Sequence, residues 1–110
     1  MDNLTKDQKF LLSLMYKEFL SRQPALDPIE ANYFEDSEKL KSLLNLNFSE
    51  DYISSLCWDL HENGYLLYHS GDLIATEIFI TNKTINYFEN RFSNSLEKFT
   101  ELLKFIATLR

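Results

Sequence analysis

The feature that most constrains the fold is a helical pattern of apolar residues that stops at an asparagine–glycine pair. Its members recur at i, i+3, i+4 and i+7 and share one face of a helix over residues 49–63: Ile53, Leu56, Cys57 and Leu60. Gly64 follows this helix, and glycine readily takes the left-handed conformation in which helices end. The sequence therefore predicts a helix with one buried face and a defined end.

A β-hairpin is predicted directly after this helix. Its strands cover residues 65–69 and 73–80, joined by a turn at Ser70-Gly71-Asp72. Alternation along the second strand assigns its even-numbered residues, such as Ile78, to one face and its odd-numbered residues, such as Ala75, to the other. Tyr65, Tyr68 and His69 line the first strand and are expected to pack on the sheet.

Four more helices are predicted around this unit. They cover residues 5–23, 37–44, 81–92 and a last stretch that starts at Ser93 or Asn94 and ends at Leu109. Thr5 and Gln8 form a capping box at the start of the first helix. Asp36 or Ser37 caps the second, whose inward-facing leucines are Leu40, Leu43 and Leu44. Residues 29–34 fit either a short strand or a helical turn.

Composition agrees with a mainly α fold that carries a small antiparallel β-hairpin (α+β). Only two Gly and two Pro interrupt the 110 residues, and 45% of the chain is hydrophobic, which suffices for one packed domain. A single Cys excludes a disulfide framework and fits a reducing compartment. The start, MDNLTKDQK, lacks a signal-peptide core, and no apolar run approaches the roughly 18–20 residues that span a bilayer. We therefore expect a cytoplasmic protein with no membrane contact.

The order of these elements resembles the winged helix-turn-helix. The resemblance lies in residues 48–92, FSEDYISSLCWDLHENGYLLYHSGDLIATEIFITNKTINYFENRF. HENGYLL looks like the helix end of that fold and ITNKTINYFEN like its wing exit, with Thr84 where a glycine is usual. With the trailing helix SNSLEKFTELLKFIATLR, the chain is similar to small prophage-associated winged-helix proteins of the YjcQ type. The resemblance implies a winged-helix unit over residues 1–92 and an added C-terminal helix over 93–110 within the same domain.

The negative charge is concentrated in one stretch of the chain. Residues 42–82 hold six of the 17 acids and none of the 11 bases, so the whole net charge of −6 belongs to them. In DNA-binding winged helices the third helix enters the major groove, and Lys and Arg neutralise the phosphates. Here that helix and the wing tip offer the following outward residues: Glu50, Asp51, Ser54, Ser55, Trp58, Asp59, Glu62 and Asp72. We predict that this set binds a basic protein partner, with Trp58 either at the edge of the core or half exposed as an interface anchor.

The last helix carries two neighbouring apolar stripes. They comprise Leu96, Phe99, Leu103 and Ile106 on one side and Leu102, Phe105 and Leu109 on the other. One stripe suffices to dock the helix on its own domain, and an exposed second stripe typically marks an interface. This pattern predicts a homodimer through the C-terminal helix. The alternative is that both stripes serve the core of a single chain.

A dimeric winged-helix DNA-binding transcriptional regulator is the alternative function. It requires a contiguous positive patch on the third helix, for which the candidates are Lys39, Lys41, Lys83 and Arg91. Otherwise these are ordinary solvated side chains.

The sequence offers little for catalysis. Cys57 and His61, at i and i+4, can chelate a metal, but they lack a third ligand nearby, and a small buried cysteine explains the position as well. Phosphate-binding glycine loops, Gly-x-Ser-x-Gly and His-Glu-x-x-His do not occur. We predict a non-enzymatic protein with no cofactor and no bound metal.

Overall fold

Helices build most of the molecule, and two antiparallel strands form a hairpin between them. The computed structural model describes residues 3–23, 26–70, 75–92 and 97–109. Along the chain the elements are α1 (Lys6–Ser21), α2 (Pro28–Ala31), α3 (Ser37–Leu43), α4 (Glu50–Glu62), β1 (Leu66–Ser70), β2 (Ala75–Ile80), α5 (Asn82–Arg91) and α6 (Glu97–Thr108). The predicted α+β class is confirmed. Among the described helices none is both long and apolar enough for a bilayer crossing.

Local hydrogen bonds set the ends of the helices. Side chains cap three of the predicted starts: Thr5 for α1, Asp36 for α3 and Ser49 for α4. Gly64 has a φ of 82°, and its amide donates to a carbonyl in the last turn of α4, as does the amide of Tyr65. The prediction for Leu43 is wrong, because it lies at the end of α3 and is 36% exposed.

The hairpin contains a β-bulge that changes which residues of β2 face the core. The pairing register shifts between Leu67 and His69, so that one residue of β1 opposes two of β2. Glu77, with a φ of 49°, lies in the bulge. Because one extra residue reverses the side-chain alternation, Ala75 and Ile78 are both buried. The predicted even–odd assignment is therefore wrong for this part of the strand.

Residues 29–34 contribute to both structures that the sequence left open. Helix α2 is a single turn, and the chain then extends along β2. The Phe34 amide donates to the Ile78 carbonyl at 2.7 Å, and the Ile78 amide donates to the Glu35 carbonyl at 2.7 Å. Tyr33 forms a β-bridge with Phe79. A short extended segment thus lies along the edge of the hairpin.

The core lies around α1, which contacts α4, α5 and α6. Leu11, Leu12 and Met15 of α1 are fully buried, and the Tyr16 ring stacks on Phe88 of α5 with 4.6 Å between centroids. The predicted buried face of α4 is confirmed and consists of Ile53, Leu56, Cys57 and Leu60. This packing fixes which face of α4 points to solvent.

Candidate functional site

The solvent side of α4 carries a row of polar and aromatic side chains. Its members are spaced at i, i+4, i+7 and i+11 and are all exposed; we call them the α4 face: Asp51, Ser55, Trp58 and Glu62. Trp58 is the aromatic residue of this face, and 53% of it is exposed. Glu50, also exposed, adds a third carboxylate at the start of the helix.

Tyr68 of β1 extends the α4 face across to the hairpin. Its ring meets the Trp58 ring edge-on, with 6.3 Å between centroids and an interplanar angle of 60°. Tyr68 also contacts His61, with 5.0 Å between ring centroids, and His61 Nδ1 lies 3.0 Å from the Leu66 carbonyl oxygen. Burial raises the pKa of Tyr68, and the Cys57 thiol and the Glu62 charge raise it further. Sequence reasoning assigned Tyr68 to sheet packing and missed this contact, which joins residues ten positions apart.

Two predicted members of the partner surface point away from the α4 face. Ser54 lies 2.7 Å from the hydroxyl of buried Ser37 and accepts a hydrogen bond from the Ala75 amide at 3.3 Å. Asp59 accepts a hydrogen bond from Gln8 of α1 at 3.0 Å. Both residues flank the buried face of α4 and join it to neighbouring elements. Placing them on the outer face was wrong.

Asp72, the predicted acid at the wing tip, lies outside the described residues.

Two of the candidate DNA-contacting cations donate hydrogen bonds to backbone carbonyls at opposite ends of α4. Lys41 Nζ donates to the Phe48 carbonyl at 2.6 Å, just before α4 begins. Lys83 Nζ donates to the Asn63 carbonyl at 2.7 Å, just after α4 ends. Because an α-helix rises about 1.5 Å per residue, these ends are about 20 Å apart. Both amines interact with backbone carbonyls near the ends of the helix rather than lying side by side on it.

The other two candidates lie elsewhere. Arg91 stands over the Phe105 ring at 4.3 Å, at the junction of α5 and α6, and Lys39 is exposed on α3. Lys39, Lys41, Lys83 and Arg91 therefore do not form the contiguous patch on α4 that the DNA-binding alternative required.

Helix α6 uses much of its apolar surface within its own chain. Leu102 is fully buried, and Ile106 is 5% exposed. Phe105 and Leu109 are half-buried, and Phe105 contacts the Phe92 ring at 5.9 Å. Leu103 is 43% exposed, whereas Leu96 and the side chain of Phe99 lie outside the described part of the chain. Leu102 and Ile106 belong to the core of the chain and Phe105 packs against it, as the alternative of an intrachain core predicts.

The surroundings of Cys57 and His61 do not favour metal binding. Burial raises the pKa of the Cys57 thiol from 9.0 to about 12, so it stays protonated and unreactive at neutral pH. One ring nitrogen of His61, Nδ1, lies 3.0 Å from the Leu66 carbonyl oxygen. Within the described ranges no three metal-binding side chains come together.

A groove of about 650 Å³ lies between α1 and the loop before α4. Phe10, Leu14 and Phe48 line it, together with the charged residues Asp7 and Lys17. Asp7 accepts a hydrogen bond from the Tyr52 hydroxyl at 2.6 Å. The groove is lined by both apolar and charged side chains, and its lining residues do not place a nucleophilic side chain beside a general base.

Comparison with known proteins adds no relative: no protein-family model, curated protein or solved structure matches this chain.

Proposed function

We propose that this chain is a small winged-helix module that binds a basic protein surface through the α4 face. Two structural features support the fold component of the proposal. The order α3, α4, hairpin and α5 is that of a helix-turn-helix followed by a wing. Residues 32–35 pair with β2 in the position of the additional short strand of a wing sheet.

The charge of the α4 face supports a basic partner rather than DNA. Asp51 and Glu62 on the α4 face and the adjacent Glu50 are exposed acids, and helix α4 contains no Lys or Arg. In a DNA-binding winged helix this helix would face phosphates, and two like charges 4 Å apart repel by about 4 kcal/mol at an effective dielectric near 20. Salt weakens this repulsion at an exposed surface but does not reverse its sign. The same carboxylates attract lysine and arginine side chains.

The single observation that carries the proposal is the exposed Trp58 between these carboxylates. Large aromatic side chains are enriched among the residues that dominate binding energy in protein interfaces. Glu62 lies one turn after Trp58 and Asp51 two turns before it, so a partner that covers the ring also meets both charges.

A binding comparison tests the proposal. A labelled basic peptide and a labelled random-sequence DNA duplex are titrated with the protein at physiological salt, and fluorescence anisotropy is recorded. We expect the peptide to bind and the duplex not to bind. Glu62→Lys should weaken peptide binding, whereas Glu89→Lys, which makes the same charge change at an exposed site on α5, should weaken it much less.

Two results would refute the proposal. One is micromolar duplex binding by the wild-type protein at physiological salt. The other is a peptide affinity that Glu62→Lys and Glu89→Lys lower equally, because binding would then depend on net charge and not on the α4 face.

Homodimerisation through α6 stays a prediction. Of the described residues in its two stripes, Leu103 is the most exposed, and it lies beside Leu14 and Lys17 of α1. Among the described residues, the surface proposed for a dimer is therefore Leu103 of α6 together with Leu14 and Lys17 of α1.

A further inference from the structure

Building on the proposed function, we infer that the corner between Trp58 and Tyr68 takes an arginine side chain of the basic partner. The guanidinium stacks on the Trp58 ring and pairs with the Glu62 carboxylate. An arginine side chain is thus the partner group that the α4 face recognises.

The geometry of the corner is suited to a flat cation. The two rings are inclined at 60° with 6.3 Å between centroids, so they form two sides of an angle and are not stacked on each other. Trp58 is 53% exposed and Tyr68 is half-buried, which leaves part of the indole open to a partner. Glu62 follows Trp58 by four residues and lies next to it on the helix surface. An aromatic ring beside a carboxylate can stack on the plane of a guanidinium while the carboxylate accepts hydrogen bonds from the N–H groups along its edge.

The chain contains a similar arrangement of a guanidinium, a ring and a carboxylate among its own residues. Arg22 lies 4.5 Å from the centroid of the Phe34 ring while its N–H groups donate to the Tyr33 carbonyl at 2.6 Å and its Nε lies 3.4 Å from Glu18. No cation among the described residues stacks on Trp58 in this way. The Trp58 indole, the most favourable type of ring for a cation, is thus available to a cation of a partner.

Arginine suits this site better than lysine. A guanidinium is planar, is weakly hydrated and presents N–H groups along its edge, so it can stack and pair with a carboxylate at once. An ammonium group is strongly hydrated and loses more water when it is placed on a ring. The corner should therefore prefer an arginine peptide over a lysine peptide of equal charge.

The test uses three nine-residue peptides that differ only at three positions, which hold arginine, lysine or neutral citrulline. Because Trp58 is the only tryptophan, its emission reports binding to the wild-type protein at this position. Anisotropy of labelled peptides then compares Trp58→Leu, Trp58→Phe and the matched control Tyr33→Leu, which replaces an exposed aromatic residue beside β2. Circular dichroism verifies that each variant is folded.

We expect the arginine peptide to bind most tightly and the citrulline peptide not to bind. Trp58→Leu should weaken arginine-peptide binding about two- to fivefold and remove the preference over lysine. Trp58→Phe should keep the preference, and Tyr33→Leu should change nothing.

Failure of this inference differs from failure of the proposed function. If Glu62→Lys weakens binding but wild type and Trp58→Leu bind the arginine and lysine peptides equally, the arginine corner is refuted and the basic-partner proposal stands. If no peptide binds to the wild-type protein, both are refuted.

Discussion

Raising the pH should destabilise this protein through the thiol of Cys57. The side chain is fully buried on α4, and burial raises its pKa from 9.0 to about 12. Between these values the unfolded chain loses the thiol proton while the folded chain keeps it. The folded state then binds more protons than the unfolded state, so the free energy of unfolding falls as the pH rises.

The size of the effect follows from the two pKa values. Below pH 8 the thiol is protonated in both states and contributes almost nothing to the pH dependence. At pH 10 the difference amounts to about 1.4 kcal/mol, and it approaches about 4 kcal/mol near pH 12. The window therefore lies above pH 9, where the unfolded thiol starts to ionise.

Urea unfolding followed by circular dichroism measures this effect at pH 7.5 and at pH 10. Cys57→Ala removes the thiol and keeps every other ionisable side chain, so the difference between the two proteins reports the thiol together with its charge effect on Tyr68. We expect the wild type to lose about 1.4 kcal/mol more than Cys57→Ala between the two pH values. Equal losses would refute the reasoning, because the thiol would then ionise as readily in the folded protein as in the unfolded one.

Three further predictions concern stability and assembly. Gly64→Ala should lower the free energy of unfolding in urea by about 1 kcal/mol, because a φ of 82° is unfavourable for alanine. The added Cβ would not clash, since its nearest neighbour, Lys83, would lie 3.5 Å away. An unchanged unfolding midpoint would contradict a left-handed Gly64. Leu102→Ala should lower the free energy of unfolding by about 2–5 kcal/mol in the same assay, because Leu102 is fully buried. Leu103→Ala, at a 43% exposed position, should lower it by less than about 1 kcal/mol. Similar losses for the two variants would argue against the packing of α6 on α1. If α6 also joins two chains, Leu103→Asp should convert a dimer to a monomer in sedimentation at tens of micromolar, and a monomeric wild type would exclude that dimer.

Features that depend on neighbours within a few residues were predictable from the sequence. Thr5 and Gln8 lie within one helical turn, so their reciprocal caps need no information from the rest of the chain. The buried face of α4 follows from helical spacing, and the end of α4 follows from the freedom of Gly64 to take a positive φ. The α+β class and the approximate position of every element except α2, which rest on such local patterns, were therefore predicted.

Tertiary packing decided how the faces of these elements are used. The two candidate cations nearest to α4, Lys41 and Lys83, bind carbonyls at its ends, and no local pattern reveals those partners. Leu102 is buried in the core because α6 packs on α1, which precedes it by about eighty residues in the sequence.

The sequence by itself determined that α4 is acidic, amphipathic and followed by a hairpin. Only the tertiary structure decided that Asp59 turns toward Gln8 and that Tyr68 stands against Trp58. A β-bulge shows why such details escape a sequence pattern, since one extra residue exchanges the two faces of a strand and placed Ala75 in the core. Local periodicity defines a face, but the contacts with distant segments determine which side chains on it remain free to bind.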